Sequence, residues 1–547
     1  MTRREAGRYV TGDICLTQFP PRSGLFLHIL AHCTSHSPNM TIPLHSSAFR
    51  HLLGYTLFGL LTMLGGTCYA QDGMGKDTDV HRDLPDTADV EEAPEISLLT
   101  CAPGHEIHRL YGHSALRIST PESDWAVNFG WFSFNTPNFV MKFILGLTDY
   151  SAAWQTMGIF LSDFCRDDMG VTEQRLDLTP AESRKIREAL WKVMEKDGYK
   201  TYDIPIRSSY GPHMQEQVLG AKWTYRYNFL YDNCTTRVVD AIRWALQSEG
   251  EELVFPDLKN SGQTVTQRQM IHDFTGQSPW YELGQDLMLG PETDEVHSLC
   301  NMASAWQNWI DGKKRQPTDE APNFLPMYAL QIFENACIRD AEGHMRPLVK
   351  ETTNLTPFLQ RKADRPSIPL TPTMAGWLVL GLTALVSFGE WKARKKHSDA
   401  RLQRAWRIWG NALDITLWTV MGCTGVILTI LTGWSAHPAV DTNWLTWLFC
   451  PAFLLAIVWR CCSQGGDRTV ACITLAAATL TLVCHFCGMQ WIPTAVLLFA
   501  VATGIRAAMA LARNVHTTEA RPAWKSWGTW GFILAYAVLQ MISLRMC

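Results

Sequence analysis

The sequence lacks the features of a nucleic-acid-binding protein. It has no long basic block, and its 48 Lys and Arg residues against 52 Asp and Glu leave a formal net charge of −4. Binding to a phosphate backbone normally needs a basic patch, so a nucleic-acid partner is not expected. No internal repeat is found either. What the chain does have is length, since 547 residues with 47% hydrophobic composition leave room for more than one domain.

Metal-binding spacings are also lacking. The cysteines show no paired zinc spacing, and Pro103-Gly-His-Glu-Ile-His108 lacks the His-Glu-x-x-His spacing that places two ligands on one helical face. His105, His108 and His113 remain as an alternative ligand set, but no metal and no cofactor is expected.

Cysteine itself is plentiful, with sixteen residues. At least half lie in or beside apolar C-terminal runs, where they act as small hydrophobic side chains. Five lie between residues 101 and 337: Cys101, Cys165, Cys234, Cys300 and Cys337. An odd number in an exported domain leaves at least one thiol unpaired. Cys234 is the predicted free thiol.

The N-terminal part has the order of a secretory signal. Arg50-His51 precedes the apolar run 52–64, and small residues follow up to Ala70, where cleavage is predicted. An uncleaved anchor is the alternative, and a start at Met40 would give a signal of ordinary length. We therefore expect four regions: an extension with signal or anchor (1–70), a polar acidic linker (71–95), an extracytoplasmic domain (96–365) and a transmembrane domain (366–547).

The C-terminal region contains six runs of about 20 mostly apolar residues, the length that spans a bilayer. They lie at about 367–389, 412–434, 443–459, 469–488, 491–512 and 526–544. Lys and Arg residues are concentrated in alternate connections, while the loops 435–442 and 489–491 contain neither. By the positive-inside rule the basic connections are cytoplasmic, so the region before residue 366 lies outside. Asp414 and Arg506 are costly in lipid and should face the helix bundle or an interface.

The extracytoplasmic region reads as an α+β domain. Residues 96–101, 114–118 and 125–131 have the pattern of strands. Thr179-Pro-Ala-Glu182 is a capping box that should open a helix. Residues 225–231 resemble a strand again, and 235–247 should form an amphipathic helix directly after Cys234.

Cys234 is the candidate nucleophile because a thiol at a helix N-terminus is favoured as the thiolate. His113 precedes a strand and can serve as its base, and Asn128 on the next strand, on the face opposite Val127 and Phe129, can orient the histidine. Tyr227 and the Cys234 backbone N–H are candidates for stabilising an oxyanion.

Each of these residues has an ordinary structural alternative: a cysteine, for example, is often simply a buried apolar side chain.

The turn beside the nucleophile contributes three further supporting residues. Asp232 or Asn233 can cap the helix, and Arg237 belongs to the same Asp-Asn-Cys-Thr-Thr-Arg stretch.

A histidine on an early strand followed much later by an Asn-Cys helix start resembles the circularly permuted papain-like enzymes of the NlpC and lecithin–retinol acyltransferase type. More closely, the chain resembles the bacterial lipoprotein N-acyltransferases of the Lnb type, which join such a domain to a C-terminal membrane domain. The matching stretches are 101–104, 110–117, 127–130 with Phe132 and Phe134, 137–139, 173–174 with Leu176 and Leu178, 227–229, 232–237 with Asp240, 289–290 with Asp294, 324–326, and, in and after the loop 435–442, Pro438, Asn443 and Pro451.

The resemblance implies a fold, a reaction and a location. The fold would be a papain-like extracytoplasmic domain followed by a bundle of about six transmembrane helices. The reaction would be transfer of a fatty acyl chain from a phospholipid to the N-terminal cysteine of a diacylated lipoprotein, through a thioester on Cys234. The location would be the bacterial inner membrane, with the catalytic domain in the periplasm. A papain-like envelope hydrolase and a non-enzymatic binding or sensing protein remain as alternatives, and the sequence leaves the oligomeric state open.

Overall fold

A computed structural model describes residues 92–104, 109–132, 138–204, 216–255, 266–276, 278–294, 324–356, 369–394, 399–462, 467–514 and 527–544. The predicted N-terminal extension, the signal and most of the linker lie outside these residues, as do His105, His108 and Cys300.

The first part of the described chain is built on a nine-stranded sheet. Its order is β12-β5-β1-β2-β3-β4-β7-β6, with β8 paired to β4, and every pairing is antiparallel. A second sheet has the order β11-β10-β9. The strands are β1 Glu95–Cys101, β2 His113–Ser119, β3 Asp124–Trp131, β4 Asp149–Thr156, β5 Val171–Leu176, β6 Tyr199–Ile204, β7 Glu216–Ala221, β8 Tyr225–Arg226, β9 Glu252–Val254, β10 Cys337–Arg339, β11 Met345–Pro347 and β12 Val349–Thr356.

Seven helices belong to the same part of the described chain. They are α1 Phe139–Ile144, α2 Met157–Arg166, α3 Pro180–Glu195, α4 Cys234–Ser248, α5 Gln267–Thr275, α6 Pro279–Met288 and α7 Pro326–Glu334. The predicted capping box at the start of α3 is confirmed, because the Thr179 side chain accepts from the Glu182 N–H and the Glu182 carboxylate accepts from the Thr179 N–H.

Both faces of the large sheet are covered, as the alternation of apolar residues along β1 to β3 requires. On one face Leu98, Leu116 and Val127 pack with side chains of α3 and α4 in the main core. On the other face Leu99, Ala115 and Ala126 pack against α2. Full burial of each large apolar side chain contributes roughly 1.5–3 kcal/mol. The α4 helix is therefore fixed against the middle of the sheet.

The predicted strand at 225–231 is wrong beyond Arg226. The Asn228 side-chain Oδ1 accepts from the N–H groups of Leu230 and Tyr231, at 3.1 and 3.2 Å. Asn228 and Asp232 also exchange both of their backbone hydrogen bonds. The side-chain amide therefore closes a tight loop, which competes with a sheet ladder, just before α4 begins.

The second part of the chain is helical. It contains α8 Pro372–Ala393, α9 Ala400–Trp434, α10 Ala452–Cys462, α11 Asp467–Phe486, α12 Thr494–Asn514 and α13 Trp527–Ser543. Four of these, α8, α9, α11 and α12, contain stretches long and apolar enough to cross a membrane. The predicted third span differs from the structure at its start, because residues 443–451 form a buried loop with a short 3-10 turn, and α10 begins only after Pro451.

Asp414 and Arg506, flagged above as costly in lipid, meet inside the helix bundle. Arg506 Nε donates to Asp414 Oδ1 at 2.6 Å and Nη1 donates to Glu390 Oε2 at 2.9 Å. Each side chain is at most 5% exposed. The three charges therefore tie α8, α9 and α12 together.

The two parts of the chain are joined at one end of the bundle. The loop after α9 is not a free polar turn, since Ala439, Val440 and Asn443 are buried. A β-carbon on Gly290 would lie 2.3 Å from the Asp441 carbonyl, so the two backbones approach closely. Hydrogen bonds cross the junction, among them Gly290 N to Ala439 O at 2.7 Å, Asn443 Nδ2 to Leu287 O at 2.7 Å, Gln490 Nε2 to Leu289 O at 3.1 Å and Trp491 N to Asp294 Oδ2 at 2.9 Å.

Candidate active site

The candidate site lies at one end of the large sheet, where β1 ends and β2 begins. Cys101 pairs with His113 across these strands. Gly112 makes the turn into β2 with a φ of 81°, and a β-carbon there would lie 2.4 Å from the Cys101 carbonyl oxygen. Only glycine fits this left-handed, crowded position without strain, so the position of His113 depends on it.

Cys234 is the first residue of α4, as the sequence predicts. The Asn233 side chain caps the helix by accepting from the N–H groups of Thr235 and Thr236, at 2.9 and 3.0 Å. The predicted choice between Asp232 and Asn233 as cap is thereby resolved in favour of Asn233. Cys234 is 9% exposed, and its thiol lies at the positive end of the helix dipole.

His113 bridges Cys234 and Asn128. Its Nε2 lies 2.8 Å from Asn128 Oδ1, so Nε2 carries the proton and donates to the amide oxygen. His113 and the Cys234 thiol also interact, and this interaction raises the pKa of the imidazole and lowers that of the thiol. The amide nitrogen of Asn128 donates in turn to Gln155 Oε1 at 2.8 Å. The result is a relay of Cys234, His113, Asn128 and Gln155 in which each group orients the next.

The electrostatics of the pair favour the charged forms. Burial alone would raise the pKa of the Cys234 thiol, but the charge and hydrogen bond of His113, the Ser114 N–H and the Thr235 hydroxyl together bring it below its usual range. Burial alone would lower the pKa of His113, but Cys234 and Asn128 together raise it, against a smaller opposing effect of Arg109. The pair is therefore disposed toward thiolate and imidazolium.

Cys101 lies close to Cys234 but has the opposite character. It is fully buried in the smaller apolar cluster. Burial, reinforced by the nearby Cys234, raises its thiol pKa well above the ordinary value. Two neighbouring thiols thus differ in reactivity because only Cys234 has an imidazole and a helix N-terminus beside it.

The turn that presents Cys234 is fixed by several side chains. Arg237 forms a two-point ion pair with Asp232, with N–O distances of 2.6 and 2.7 Å. The Arg237 guanidinium also stacks on Tyr225, 3.6 Å from the ring centre. Asn233 Nδ2 donates to the Phe324 carbonyl at 2.8 Å, which gives the Phe324-Leu-Pro stretch a role beside the site. Asp232, Asn233 and Arg237 therefore hold the turn in place.

Tyr227 lies on the other side of Cys234. Its ring stacks on Tyr150 at 4.5 Å, and both rings have a raised pKa because they are buried, with Cys234 as the next cause. Gly130 lies between Tyr227 and Cys234, and a β-carbon there would approach both side chains, at 3.5 and 3.9 Å. Tyr227 is thus a neutral phenol next to the thiol, where its hydroxyl could donate a hydrogen bond to an oxyanion.

Sequence reasoning missed one member of the relay, Gln155, and two of its neighbours, Phe164 and Ser114. Gln155 is on the same face of β4 as Ala153, which pairs with Asn128, and period-2 alternation was the signal that pointed to it. Phe164 stacks on the His113 ring at 5.6 Å, and the backbone of Ser114 helps to lower the pKa of Cys234. Nothing in the local sequence predicted the last two contacts.

Two groups of possible metal ligands lie elsewhere among the described residues, and the second, Asp340, Glu342 and His344, is largely exposed. His272, Glu282 and Asp286 place ligand atoms within 4.8 Å of one another. The Arg268 guanidinium donates to Asp286 Oδ1 at 3.0 Å, so a cationic group already neutralises this carboxylate. His113, the remaining described member of the alternative ligand set, is engaged with Asn128 and Cys234.

Asn128→Ala is expected to lower kcat/KM of a Cys234-dependent reaction by about 10- to 100-fold, because the substitution removes the group that orients His113. The active ion pair exists above the Cys234 pKa and below the His113 pKa. Loss of the Asn128 hydrogen bond lowers the His113 pKa. The falling limb of the pH–rate profile should therefore move to lower pH, while the rising limb changes less. If the falling limb of the pH–rate profile were unchanged in Asn128→Ala, Asn128 would not be orienting His113.

Gly112→Ala is expected to destabilise the protein by about 2 kcal/mol or more, since it adds left-handed strain and a clash with the Cys101 carbonyl. Gly198→Ala is the matched control: Gly198 has a φ of 74°, but a β-carbon there meets no atom within 4 Å. Urea unfolding of the full chain in detergent measures both. Equal losses for the two variants would mean that the clash is unimportant.

Together, the fold and the site define a class: membrane proteins that carry a paired cysteine and histidine in a domain joined to the outer end of a helix bundle.

Comparison with family models identifies the family. Residues 86–204 match the Lnb N-terminal periplasmic domain and residues 363–517 match the Lnb transmembrane domain. The chain therefore belongs to the Lnb family, the Lnb-type lipoprotein N-acyltransferases. No curated protein and no solved structure matches it.

Membership assigns the chain to the membrane enzymes that modify lipoproteins, with one domain in the periplasm. The sequence-based recognition of the Lnb family is confirmed.

Proposed function

We propose that this protein transfers a fatty acyl chain from a phospholipid to the α-amino group of the N-terminal cysteine of diacylated lipoproteins. The observation that carries the proposal is the relay of Cys234, His113 and Asn128 at the start of α4. Cysteine and histidine paired at a helix N-terminus, with an amide orienting the imidazole, are the parts that acyl transfer through a thioester requires.

The first half-reaction forms the acyl-enzyme. The Cys234 thiolate attacks the ester carbonyl carbon of the donor, and a C–S bond forms. The Tyr227 hydroxyl and the Cys234 backbone N–H are our candidates for stabilising the oxyanion. The ester C–O bond then breaks, and the leaving alkoxide takes the proton from the His113 imidazolium. The products are a lysophospholipid and a thioester on Cys234.

The second half-reaction clears the thioester. The lipoprotein amine attacks the thioester carbonyl, neutral His113 takes the proton from the nitrogen, and the C–S bond breaks. An amide forms and the thiolate–imidazolium pair is restored. Anchoring favours this acceptor over water, because membrane-held substrates meet the thioester at high effective concentration. A hydrolase using the same acyl-enzyme remains the competing function.

The remaining features of the proposal concern fold and location. We infer a papain-like arrangement of the periplasmic domain from the helix that begins with Cys234 and packs against antiparallel strands bearing His113 and Asn128. We also propose a multi-pass protein of the inner membrane, exported by the N-terminal signal, with α10 and α13 completing a set of six membrane helices.

The test is complementation of a strain that lacks lipoprotein N-acylation. Mass spectrometry of lipoprotein N-termini should show a third acyl chain with the wild-type gene and none with Cys234→Ala or His113→Ala. Lysophospholipid should appear together with the triacylated product. If wild type releases free fatty acid and leaves the lipoproteins diacylated, the protein is a hydrolase and the transferase proposal is wrong.

A further inference from the structure

The segment 138–147, which contains the short helix α1, has an unusual surface for a periplasmic domain. Met141, Phe143 and Leu147 are 54%, 41% and 39% exposed. Three large apolar side chains within seven residues form a patch that a water-facing surface rarely carries without a partner.

Contacts with the membrane domain fix the depth of this segment. The Leu145 carbonyl accepts from the Ala436 N–H at 2.8 Å, and the Phe143 carbonyl accepts from His437 Nε2 at 3.5 Å. Ala436 lies two residues after Trp434, the last residue of α9. The patch is therefore held at the level where this span leaves the membrane.

The surroundings match a lipid interface at that depth. Trp434 is 59% exposed at the end of α9, and tryptophan is enriched where membrane helices meet the headgroups. Lys142 lies between Met141 and Phe143, where a cation can meet lipid phosphate while its neighbours enter the acyl region.

Aromatic rings connect the start of β4, which follows this segment in the chain, with the nucleophile. Leu147 is followed three residues later by Tyr150, on the second residue of β4. The Tyr150 ring contacts Phe132 at 5.1 Å and stacks on Tyr227 at 4.5 Å. Tyr227 lies beside Gly130 and Cys234. An acyl chain entering at 143–147 thus meets apolar and aromatic side chains on the way to the thiol.

We propose that the 138–147 segment inserts its apolar side chains among the acyl chains of the periplasmic leaflet and delivers lipid substrates to Cys234. The delivery step rests on the function proposed above, whereas the insertion does not. Because the junction with residues 436–437 holds the segment at a set depth, lipid can reach the thiol without leaving the bilayer.

Photolabelling tests the insertion. The full chain is placed in vesicles of phosphatidylethanolamine and phosphatidylglycerol that contain a phospholipid with a diazirine near the end of an acyl chain. After illumination, lipid should be attached to peptides covering 138–147 and to the membrane helices, but not to the β10–β11 hairpin. Labelling of the helices without labelling of 138–147 would overturn the proposal.

A kinetic comparison tests the delivery. The double variant Met141→Ser/Phe143→Ser should raise KM for the donor phospholipid about tenfold or more. Cys234-dependent cleavage of p-nitrophenyl acetate, a small soluble ester, should remain within about twofold of wild type. Met345→Ser is the matched control. Met345 is 51% exposed on β11, which belongs to the three-stranded sheet. An unchanged KM for the phospholipid in the double variant overturns the delivery step.

The two proposals fail in different ways. If wild type shows no Cys234-dependent turnover of either ester, the proposed acyl-transfer function is wrong, while photolabelling still decides the insertion. If both esters are turned over equally well by wild type and the double variant, the acyl-enzyme step on Cys234 stands and the lipid-delivery role of 138–147 is wrong.

Discussion

Replacing Cys234 with alanine is expected to reduce the proposed acyl transfer by about 10⁴-fold or more, as removal of a covalent nucleophile does in other enzymes that form an acyl-enzyme. The loss should be in kcat, because the thiol forms a covalent bond only after the substrate is bound. Cys234→Ser should be nearly as inactive. The surroundings that stabilise a thiolate cannot lower the pKa of a serine hydroxyl to near neutral pH.

The chain offers a matched control for this experiment in Cys101. Its side chain is also buried and lies near Cys234, but its thiol pKa is raised rather than lowered. Cys101→Ala should keep activity within a few fold and cost about 1 kcal/mol of stability, the effect of a small cavity. Mass spectrometry of wild type treated with donor lipid should find the acyl adduct on Cys234. An adduct on Cys101, or full activity of Cys234→Ala, would remove Cys234 as the nucleophile.

Replacing Arg506 with methionine is expected to destabilise the membrane domain by about 3–5 kcal/mol. Arg506 contacts Asp414 and Glu390, and it also donates to the Gly410 carbonyl at 3.1 Å and to Ser387 Oγ at 3.2 Å. Without the guanidinium, two carboxylates would remain buried and adjacent among helices that face lipid, with no cation between them. Thermal unfolding in detergent, followed by the loss of monodisperse protein, measures the effect.

Two further variants separate the role of this ion group from a general effect of charge removal. Arg394 lies 4.0 Å from Glu390 but is 40% exposed, so Arg394→Met should cost at most about 1 kcal/mol. The triple variant Arg506→Met/Asp414→Leu/Glu390→Met removes all three buried charges and should recover much of the stability lost by Arg506→Met. If Arg506→Met were as stable as wild type, the ion group of Arg506, Asp414 and Glu390 would not stabilise the packing of α8, α9 and α12.

Local features of the site could be predicted from the sequence because they depend on neighbours in the chain. The helix after Cys234, the capping box at Thr179 and the strand bearing His113 follow from side-chain periodicity and from the residues that cap helices. The face of Asn128 opposite Val127 and Phe129 follows from the alternation of a strand. The strand expected at 225–231 failed for a local reason too, since the Asn228 side chain hydrogen-bonds nearby N–H groups and closes a loop.

Cysteine chemistry needed the tertiary structure. Sequence singles out Cys234 by its place at a helix start, but it shows neither the partner of that thiol nor the surroundings of Cys101. Only the fold places an imidazole and the Ser114 N–H beside Cys234 and encloses Cys101 among apolar side chains, and these contacts shift the two pKa values in opposite directions. Long-range contacts decide such shifts because the charges and hydrogen bonds responsible come from distant parts of the chain.

By itself, then, the sequence determined the two-part organisation, the family and the principal candidates Cys234, His113 and Asn128. Tertiary structure alone decided that Asn233 caps the nucleophile helix, that Gln155 completes the relay, that Arg506 meets two carboxylates, and that the 138–147 segment is held at the outer end of α9. The division has one physical reason. Periodicity and capping act within a few residues, whereas charge pairing, thiol activation and the depth of a surface depend on which distant backbones pack together.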